Sequence, residues 1–279
     1  MNTVYVEGSP RWGLGNILFQ VAAAIYYCEK YNYKLVLIRS HWILFGTSIM
    51  FGKDQCFVDQ NNNKLTYDET IFKKLIFMEK IMSPAHECIV IHNNYTNTKI
   101  VPTNNYDLII KGFSQNISLF KEYIHKIPNY LNIEDINIKN YINNKYGNIE
   151  NSIAICIRIG NDFRHMNKIN SNSYLKALDY LKTSQENMEK IYIISDTPNI
   201  SNHFSLNEHY DYIEVNEKDI VQFYFGLACK NYILSESTFH LWIAYLGTID
   251  DNNKKVICFN NTDITNRKLE LENWIKISY

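Results

Sequence analysis

Hydrophobic positions along this chain form two kinds of segment: short runs of alternating β-branched residues, and longer runs with a helical period. The clearest short run is Ile-Ala-Ile-Cys-Ile-Arg-Ile at residues 153–159, where isoleucine occupies every second position. Such alternation predicts a buried strand. The run ends at Gly160, directly after Arg158 and Ile159, so we expect the Arg158 guanidinium near the carboxyl end of this strand.

The same alternation of segments continues through the second half of the chain. The pattern predicts strands at 190–195, 212–215, 232–235 and 255–259, helices at 173–181, 219–229 and 237–246, and a C-terminal helix at 269–277. Strands that alternate with helices indicate a parallel sheet with right-handed crossovers.

The first half begins with a strand at 4–7, a glycine-rich turn, a helix at 17–31 with Asn16 as its N-cap, and a strand at 34–38. Less regular patterns follow: an apolar stretch at 42–51, an exposed turn at 59–64, strands at 87–92 and 107–111, and helices at 68–77, 118–126 and 133–146. Gly147 and Asn148 favour a domain boundary, giving domains 1–148 and 149–279.

Composition narrows the class of protein. The 279 residues are 46% hydrophobic and carry a net charge of −1, which gives no electrostatic reason to expect nucleic acid or an anionic membrane as a partner. The six cysteines are scattered without a Cys-x-x-Cys pair, as in reduced proteins. We find neither a signal peptide nor an apolar run of about 18 to 20 residues, so we expect a cytoplasmic protein without a membrane span.

Polar residues follow three of the predicted strands: Arg158, then Ser195 and Asp196, then Ser237 and Thr238. In a parallel sheet these strand ends meet at one edge, where ligands bind. An arginine that forks onto phosphate oxygens, together with amides at a helix start, makes a diphosphate site. Asp196 would then accept hydrogen bonds from a ribose or a base.

Structural roles stay open for the same residues. Arg158 has Asp162 nearby as an ion-pair partner. Ser237 or Thr238 is well placed as a plain N-cap, and Asp196 as a cap before Pro198.

Other chemistries have little support in the sequence. It contains no Asp-x-Asp, no His-Glu-x-x-His and no Cys/His cluster, so we expect no metal. The absence of a Gly-x-Ser-x-Gly elbow argues against a hydrolase, and the Gly13-x-Gly15 spacing differs from the dinucleotide fingerprint of oxidoreductases. His165 and His240 lie near the expected site, although a lone histidine is more often structural.

Five segments, in order along the chain, resemble the α-1,2-fucosyltransferases of glycosyltransferase family 11 and, more distantly, the α-1,6- and protein O-fucosyltransferases. The family's Gly-Gly-Leu-Gly-Asn-Gln-Met-Phe-Gln is similar to residues 12–20, and its Gly-Tyr/Phe-Phe-Gln to residues 112–115. His-x-Arg-Arg-Gly-Asp-Tyr is similar to residues 156–163, and Phe-Ser-Asp-Asp to residues 194–197. Asn-Ser-Thr-Phe-Ser-Trp-Trp-Ala-Ala-Trp-Leu is similar to residues 236–246.

The resemblance implies a GT-B fold, with two Rossmann-like domains facing across a cleft. It implies that the C-terminal domain binds a nucleotide sugar, most simply GDP-fucose, and that the N-terminal domain lies on the acceptor side. The implied reaction is metal-independent, inverting transfer of fucose or a related deoxysugar to a hydroxyl of a glycan acceptor.

The resemblance also assigns roles to individual residues. Arg158 matches the arginine that holds the donor's β-phosphate and is the expected catalytic residue. The expected donor-binding residues are Gly15, Asn16, Cys156, Ser195, Asp196, Ser237, Thr238 and Phe239. Asp162 and His165 are the candidates for the base that deprotonates the acceptor.

Three departures from the family pattern leave other functions open. Cys156 stands where the family has histidine, Ile159 stands where it has a second arginine, and Asn161 is an extra residue. A thiol binds ribose or base poorly, and an uncharged Ile159 weakens the grip on a diphosphate. A different nucleotide sugar, or a non-catalytic nucleotide- or glycan-binding module, is therefore an alternative.

Overall fold

A computed structural model describes residues 1–7, 13–38, 57–59, 62–78, 87–92, 100–102, 106–159, 169–184, 190–200, 206 and 210–278. The chain divides into two compact units, unit 1 (residues 1–135) and unit 2 (residues 136–279). Each unit contains a parallel sheet with helices, which confirms the predicted α/β class. The apolar stretch predicted at 42–51 lies outside the described residues.

Unit 1 is organised around strand β1 and the helix that follows it. Its elements are β1 (Thr3–Glu7), α1 (Leu14–Tyr31), β2 (Lys34–Ile38), β3 (Phe57–Val58), β4 (Lys64–Leu65), β5 (Ile76–Met78), β6 (Glu87–His92), β7 (Tyr106–Lys111) and α2 (Ile127–Tyr130), with 3₁₀ turns at Ile117–Leu119 and Lys121–Lys126. The parallel sheet has the order β5-β2-β1-β7-β6. The predicted strand–helix–strand start of the chain is confirmed, and β1 lies at the centre of the sheet.

Unit 2 repeats this architecture around strand β8. Its elements are α3 (Ile136–Tyr146), β8 (Ile153–Ile157), α4 (Ser171–Ser184), β9 (Ile191–Ser195), β10 (Ile213–Glu214), α5 (Asp219–Ala228), β11 (Asn231–Ile233), α6 (Thr238–Gly247), β12 (Val256–Phe259), α7 (Asp263–Asn266) and β13 (Ile275–Ile277). The strands are parallel, in the order β10-β9-β8-β11-β12-β13. β8 therefore lies between β9 and β11, the two other strands whose ends were predicted to be polar.

The isoleucine alternation in β8 has a direct packing reason. Ile153, Ile155 and Ile157 join the apolar core that includes Tyr174 and Leu178 of α4. Because successive strand residues point to opposite faces, residues 154 and 156 face the other side of the sheet. Every residue of β8 is buried, as expected for a strand of a parallel sheet covered on both faces.

Helices α5 and α6 pack closely because one residue between them lacks a side chain. A Cβ added at Gly226 of α5 would lie 2.5 Å from Cγ2 of Ile243 in α6. Such a contact would force the two helices apart, so glycine is needed for this approach. The packing fixes the position of α6, whose first turn contributes to the site described below.

Two predicted helices are wrong. Residues 68–75 form turns rather than a helix, and Ile76–Met78 forms the edge strand β5, which pairs with β2. At the C-terminus, Ile275–Ile277 pairs with β12, and Trp274 stacks on Tyr245. In both places pairing with an open sheet edge outweighs the local helical pattern. The helix predicted at 118–126 is a pair of 3₁₀ turns instead.

Helix α3 belongs to unit 2, although the sequence favoured a boundary after residue 148. Its residues Tyr141, Lys145 and Tyr146 all hydrogen-bond the carboxylate of Glu217, which precedes α5. This carboxylate is largely buried, and its pairing raises the pKa of Lys145 above its usual value. The boundary between the two compact units accordingly falls between residues 135 and 136 of the chain.

Candidate active site

The structure brings the polar ends of two central strands of unit 2 into contact. Nε of Arg158, just past β8, lies 3.0 Å from Oδ2 of Asp196, just past β9. Oδ1 of Asp196 accepts hydrogen bonds from the Ile159 backbone N–H at 3.2 Å and from the Thr197 hydroxyl at 3.3 Å. The carboxylate therefore forms an ion pair with the guanidinium and also binds the adjacent backbone. The predicted alternative partner, Asp162, lies outside the described residues.

A buried amide supports this pair from below. The side-chain N–H groups of Gln222, in α5, donate to the Ser195 carbonyl at 3.0 Å, and also to the carbonyls of Val215 and Glu217. Ser195 directly precedes Asp196, and its hydroxyl accepts a hydrogen bond from the Thr197 backbone N–H at 3.1 Å. Ser195 thus shapes the turn that carries Asp196. Sequence reasoning missed Gln222 because its partners are backbone carbonyls, which leave no side-chain motif.

The start of α6 completes this edge of the sheet. Ser237 occupies the N-cap position, and Thr238 and Phe239 are the first two helical residues. The Ser237 side chain makes no capping hydrogen bond, so it does not play the plain N-cap role that the sequence left open. Phe239 packs edge-on against Phe223, with ring centroids 5.5 Å apart. Glu236 fixes the preceding loop by accepting from the Asp263 backbone N–H at 2.6 Å.

His240 and Ser235 form a buried pair beside this helix start. Nδ1 of His240 lies 2.7 Å from Oγ of Ser235, and both residues are almost completely buried. Burial, and secondly the nearby positive charge of Arg158, lower the pKa of His240 to about 3. The imidazole is therefore neutral at physiological pH. Because β8 pairs with β11, whose end leads into α6, Arg158 and the start of α6 lie at the same edge of the sheet.

Cys156 lies in the core rather than at the exposed sheet edge. The residue is fully buried, and burial together with the proximity of Cys229 raises the pKa of its thiol well above the usual value. Its backbone carbonyl accepts a hydrogen bond from the Tyr174 hydroxyl at 3.2 Å. The family's hallmark position thus holds an uncharged core side chain in this protein.

The corresponding sheet edge of unit 1 contains a network of amides. α1 begins at Leu14 with Gly13 as its N-cap, so the prediction that Asn16 caps the helix is wrong. Asn16 lies in the first turn, next to the buried Gly15, and its Oδ1 accepts from the side chain of Gln115 at 2.8 Å. The helix starts earlier than predicted because the glycine backbone begins it without a side-chain cap.

A second buried amide joins the strand ends of unit 1. Nε2 of Gln20 donates to the carbonyl of Gly112 at 2.8 Å and to that of Glu7 at 3.5 Å. The carboxylate of Glu7, at the end of β1, pairs with Lys111, at the end of β7, at 2.7 Å. The two family-like segments at 12–20 and 112–115 are therefore in direct contact, which the sequence alone did not reveal.

Ser114, which precedes Gln115, has two unfavourable features: a positive φ and a buried hydroxyl without a described partner. Its φ of +48° is unusual for a residue other than glycine, and it is almost completely buried. Its hydroxyl has no hydrogen-bond partner among the residues that the structure describes. The family pattern has phenylalanine here, so Ser114 is another departure from it.

The candidate bases are not placed by the structure. Asp162 and His165 both lie outside the described residues, as do Gly160 and the extra residue Asn161.

Within the described part of the chain, no three His, Cys, Asp or Glu side chains cluster so as to hold a metal ion. Metal independence stays a prediction. No helix in the described ranges combines the length and apolar character required to cross a membrane.

Comparison with known proteins finds fold relatives but no family. No protein-family model matches the chain, and no curated protein matches it in sequence. The structure is similar to that of the fucosyltransferase NodZ from Bradyrhizobium, with a TM-score of 0.53 and 10% identity over 89% of this chain and 94% of that chain.

Two further structures give the same result. NodZ α-1,6-fucosyltransferase co-crystallised with GDP matches with a TM-score of 0.55 and 11% identity, over 94% of this chain and 96% of that one. POFUT1 in complex with GDP matches with a TM-score of 0.51 and 11% identity, over 91% and 97% of the two chains. At these identities the likeness establishes the fold, and it confirms the predicted GT-B class: the chain is folded like a fucosyltransferase.

Proposed function

We propose that this protein is an inverting, metal-independent glycosyltransferase that moves fucose, or a related deoxysugar, from a nucleoside-diphosphate donor to a hydroxyl of a glycan acceptor. GDP-fucose is the donor that we favour, because NodZ and POFUT1, which share the fold, have been crystallised with GDP. An α-1,2 linkage and membership of glycosyltransferase family 11 are part of the proposal and rest on the sequence motifs.

The observation that carries the proposal is the position of Arg158. The guanidinium follows a central strand, forms an ion pair with Asp196, and shares its edge of the sheet with the start of α6. Arginine carries five N–H donors in a planar fork, a geometry that suits it to binding phosphate oxygens. A helix start adds backbone N–H groups and a positive dipole end. Together these groups favour a diphosphate.

The reaction that we propose depends on stabilising the leaving group. The bond between the sugar's anomeric carbon and the β-phosphate oxygen breaks, and its electron pair stays on that oxygen. Arg158, the side chain of Ser237 and the backbone amides of Thr238 and Phe239 stabilise the negative charge that develops there. The acceptor oxygen bonds to the anomeric carbon from the opposite side and loses its proton to a base. Asp162 and His165 remain the candidates for that base.

The remaining residues have supporting roles in this proposal. Asp196 orients Arg158 and is also close enough to the site to contact the nucleotide, as the family pattern implies. Gly15 and Asn16 of unit 1 are proposed to contact the donor, and unit 1 to take the acceptor. Cys156 is buried, so its contribution would be confined to the packing beneath the site.

A thermal-shift screen followed by a donor-hydrolysis assay tests the proposal. GDP, UDP, dTDP and their sugars are each added to the whole chain. A ligand that binds the native state at 100 times its Kd adds about 2.7 kcal/mol of stability, which raises the melting temperature measurably. We expect the largest shift with GDP or GDP-fucose, and release of free sugar from the matching donor. If no nucleoside diphosphate shifts the melting temperature, the proposal fails.

A non-catalytic nucleotide- or glycan-binding module is the second candidate. Two observations favour it: Cys156 is a core residue, and Ile159 provides no second cation beside Arg158. Such a module would bind the nucleotide but release no sugar from the donor. The hydrolysis assay separates the two functions, because any enzyme-dependent sugar release excludes the inert module.

A further inference from the structure

The contact between Ser235 and His240 spans the loop that leads from β11 into α6. Ser235 lies two residues after the end of β11, and His240 is the third residue of α6. Their side chains meet at 2.7 Å in an almost completely buried position. A hydrogen bond shielded from water in this way is costly to break, because a buried polar group is then left without a partner.

This contact is well placed to control the loop. The Ser237 side chain provides no cap for α6, so the usual side-chain brace at a helix start is missing. Besides the Ser235–His240 contact, the loop is held by the Ser237 backbone N–H, which donates to the Ser235 carbonyl at 2.9 Å, and by Glu236. The Ser235–His240 contact joins a side chain of the loop to the helix itself, and the Leu241 backbone N–H donates to the Ser237 carbonyl at 2.9 Å.

We propose that His240 is a positioning residue: through Ser235 it fixes the loop at 235–237, so that the first amides of α6 point at the diphosphate. This inference rests on the proposed function. His240 is not assigned any proton transfer. Its place in the first turn of α6, where the family pattern has serine, makes it a feature of this chain rather than of the family pattern.

A space-filling role is the competing explanation, and side-chain geometry distinguishes the two. The amide of asparagine can occupy the position of the imidazole Nδ1, whereas the amide of glutamine reaches the position of Nε2. H240N should therefore keep the contact with Ser235, and H240Q should lose it while filling more of the space. If His240 only fills space, H240Q should be at least as good as H240N.

The experiment measures how much the diphosphate contributes to binding. We would titrate wild type, H240N, H240Q and S235A with the nucleoside diphosphate found in the screen, and with its nucleoside, which lacks phosphates. H240Q and S235A should weaken the diphosphate about tenfold and leave the nucleoside nearly unchanged, as expected for one lost buried hydrogen bond. H240N should bind both ligands within about threefold of wild type. The S235A/H240Q double variant should be no weaker than the single variants.

Thr248→Val is the matched control. It removes a buried hydrogen bond of 2.7 Å, from the Thr248 hydroxyl to the Ala244 carbonyl, at the opposite end of the same helix. It should lower stability without changing the ratio of the two affinities.

The outcomes separate this inference from the proposed function. Equal loss of diphosphate and nucleoside affinity in H240Q, or no loss at all, overturns the positioning role. A diphosphate affinity in H240Q that equals that in H240N also overturns it. If wild type binds no nucleoside diphosphate, the proposed function itself fails, and this inference fails with it.

Discussion

The two units differ in the side chains that lie at the carboxyl ends of their central strands. In unit 1 the strand ends are joined by Gln20, whose amide binds backbone carbonyls, and by the Glu7–Lys111 ion pair. In unit 2 the buried Gln222 has a similar task, but the strand end beside it presents the guanidinium of Arg158. Both edges thus combine a buried amide with an ion pair, but the cation is a lysine in unit 1 and an arginine in unit 2.

This difference teaches where the anionic part of a donor is expected to bind. Amide N–H groups that already donate to carbonyls contribute little to phosphate binding, whereas a guanidinium matches phosphate oxygens in geometry and charge. The comparison therefore favours unit 2 for the proposed diphosphate site.

The largest expected effect is on Arg158. R158A should lower transfer by about 100- to 1000-fold, because removing one preorganised donor to a developing oxyanion has this cost. A radiolabelled-donor assay measures the rate, and circular dichroism checks the fold. Arg267→Ala is the control. It removes a similarly exposed ion pair of unit 2, in which Arg267 lies 2.7 Å from Asp263, and it should leave the rate unchanged. Normal turnover in R158A would remove the distinction between the two units.

The two buried glutamines provide the next test. Q20L and Q222L should each lower the free energy of unfolding by about 1 to 3 kcal/mol, because buried carbonyls lose their donor. Urea denaturation measures this change. Only Q222L should also weaken nucleotide binding, since Gln222 anchors the turn carrying Asp196. Equal weakening by both variants would show that the two edges are equivalent.

His240 gives unit 2 a distinct acid sensitivity. Its pKa is lowered to about 3 in the folded protein, so between about pH 6.5 and 3 the unfolded chain binds a proton that the native state does not. The free energy of unfolding must therefore decrease as the pH is lowered through this range, by up to about 1.4 kcal/mol per pH unit from this group. H240N should lack that slope in denaturation experiments at pH 6.5 and pH 4.5. Identical slopes would contradict a neutral, buried imidazole.

The smallest expected effect concerns Ser114 in unit 1. S114A removes a buried hydroxyl without a described partner and should raise the free energy of unfolding by about 1 kcal/mol. Ser118→Ala is the control, because its hydroxyl donates to Asn116 at 2.8 Å, and that variant should be neutral or slightly destabilised. A loss of stability in S114A would indicate that its hydroxyl has a structural partner.

Much of the fold was predictable where burial imposes a period on the sequence. The strands around residues 36, 155, 193 and 257 were found because a strand in a parallel sheet is apolar on both faces. The predictions failed where a segment completes an open edge, as Ile76–Met78 and Ile275–Ile277 do. There the partner strand decides the conformation, and a short apolar run fits a helix as well as a strand.

The candidate site was partly predictable for the same reason. Arg158, Asp196 and Ser237 were identified because they follow strands that the sequence reveals. Gln222 and the Ser235–His240 pair were not, since their roles depend on atoms that the sequence does not bring together.

The sequence by itself determined the α/β class and which residues end the central strands, because periodic burial and chain breaks are local properties. Only the tertiary structure decided that Asp196 holds Arg158, that His240 braces Ser235 beside it, and that α3 belongs to unit 2. Each of these depends on contacts between different elements, and such contacts form only when the sheet order and the helix packing are fixed.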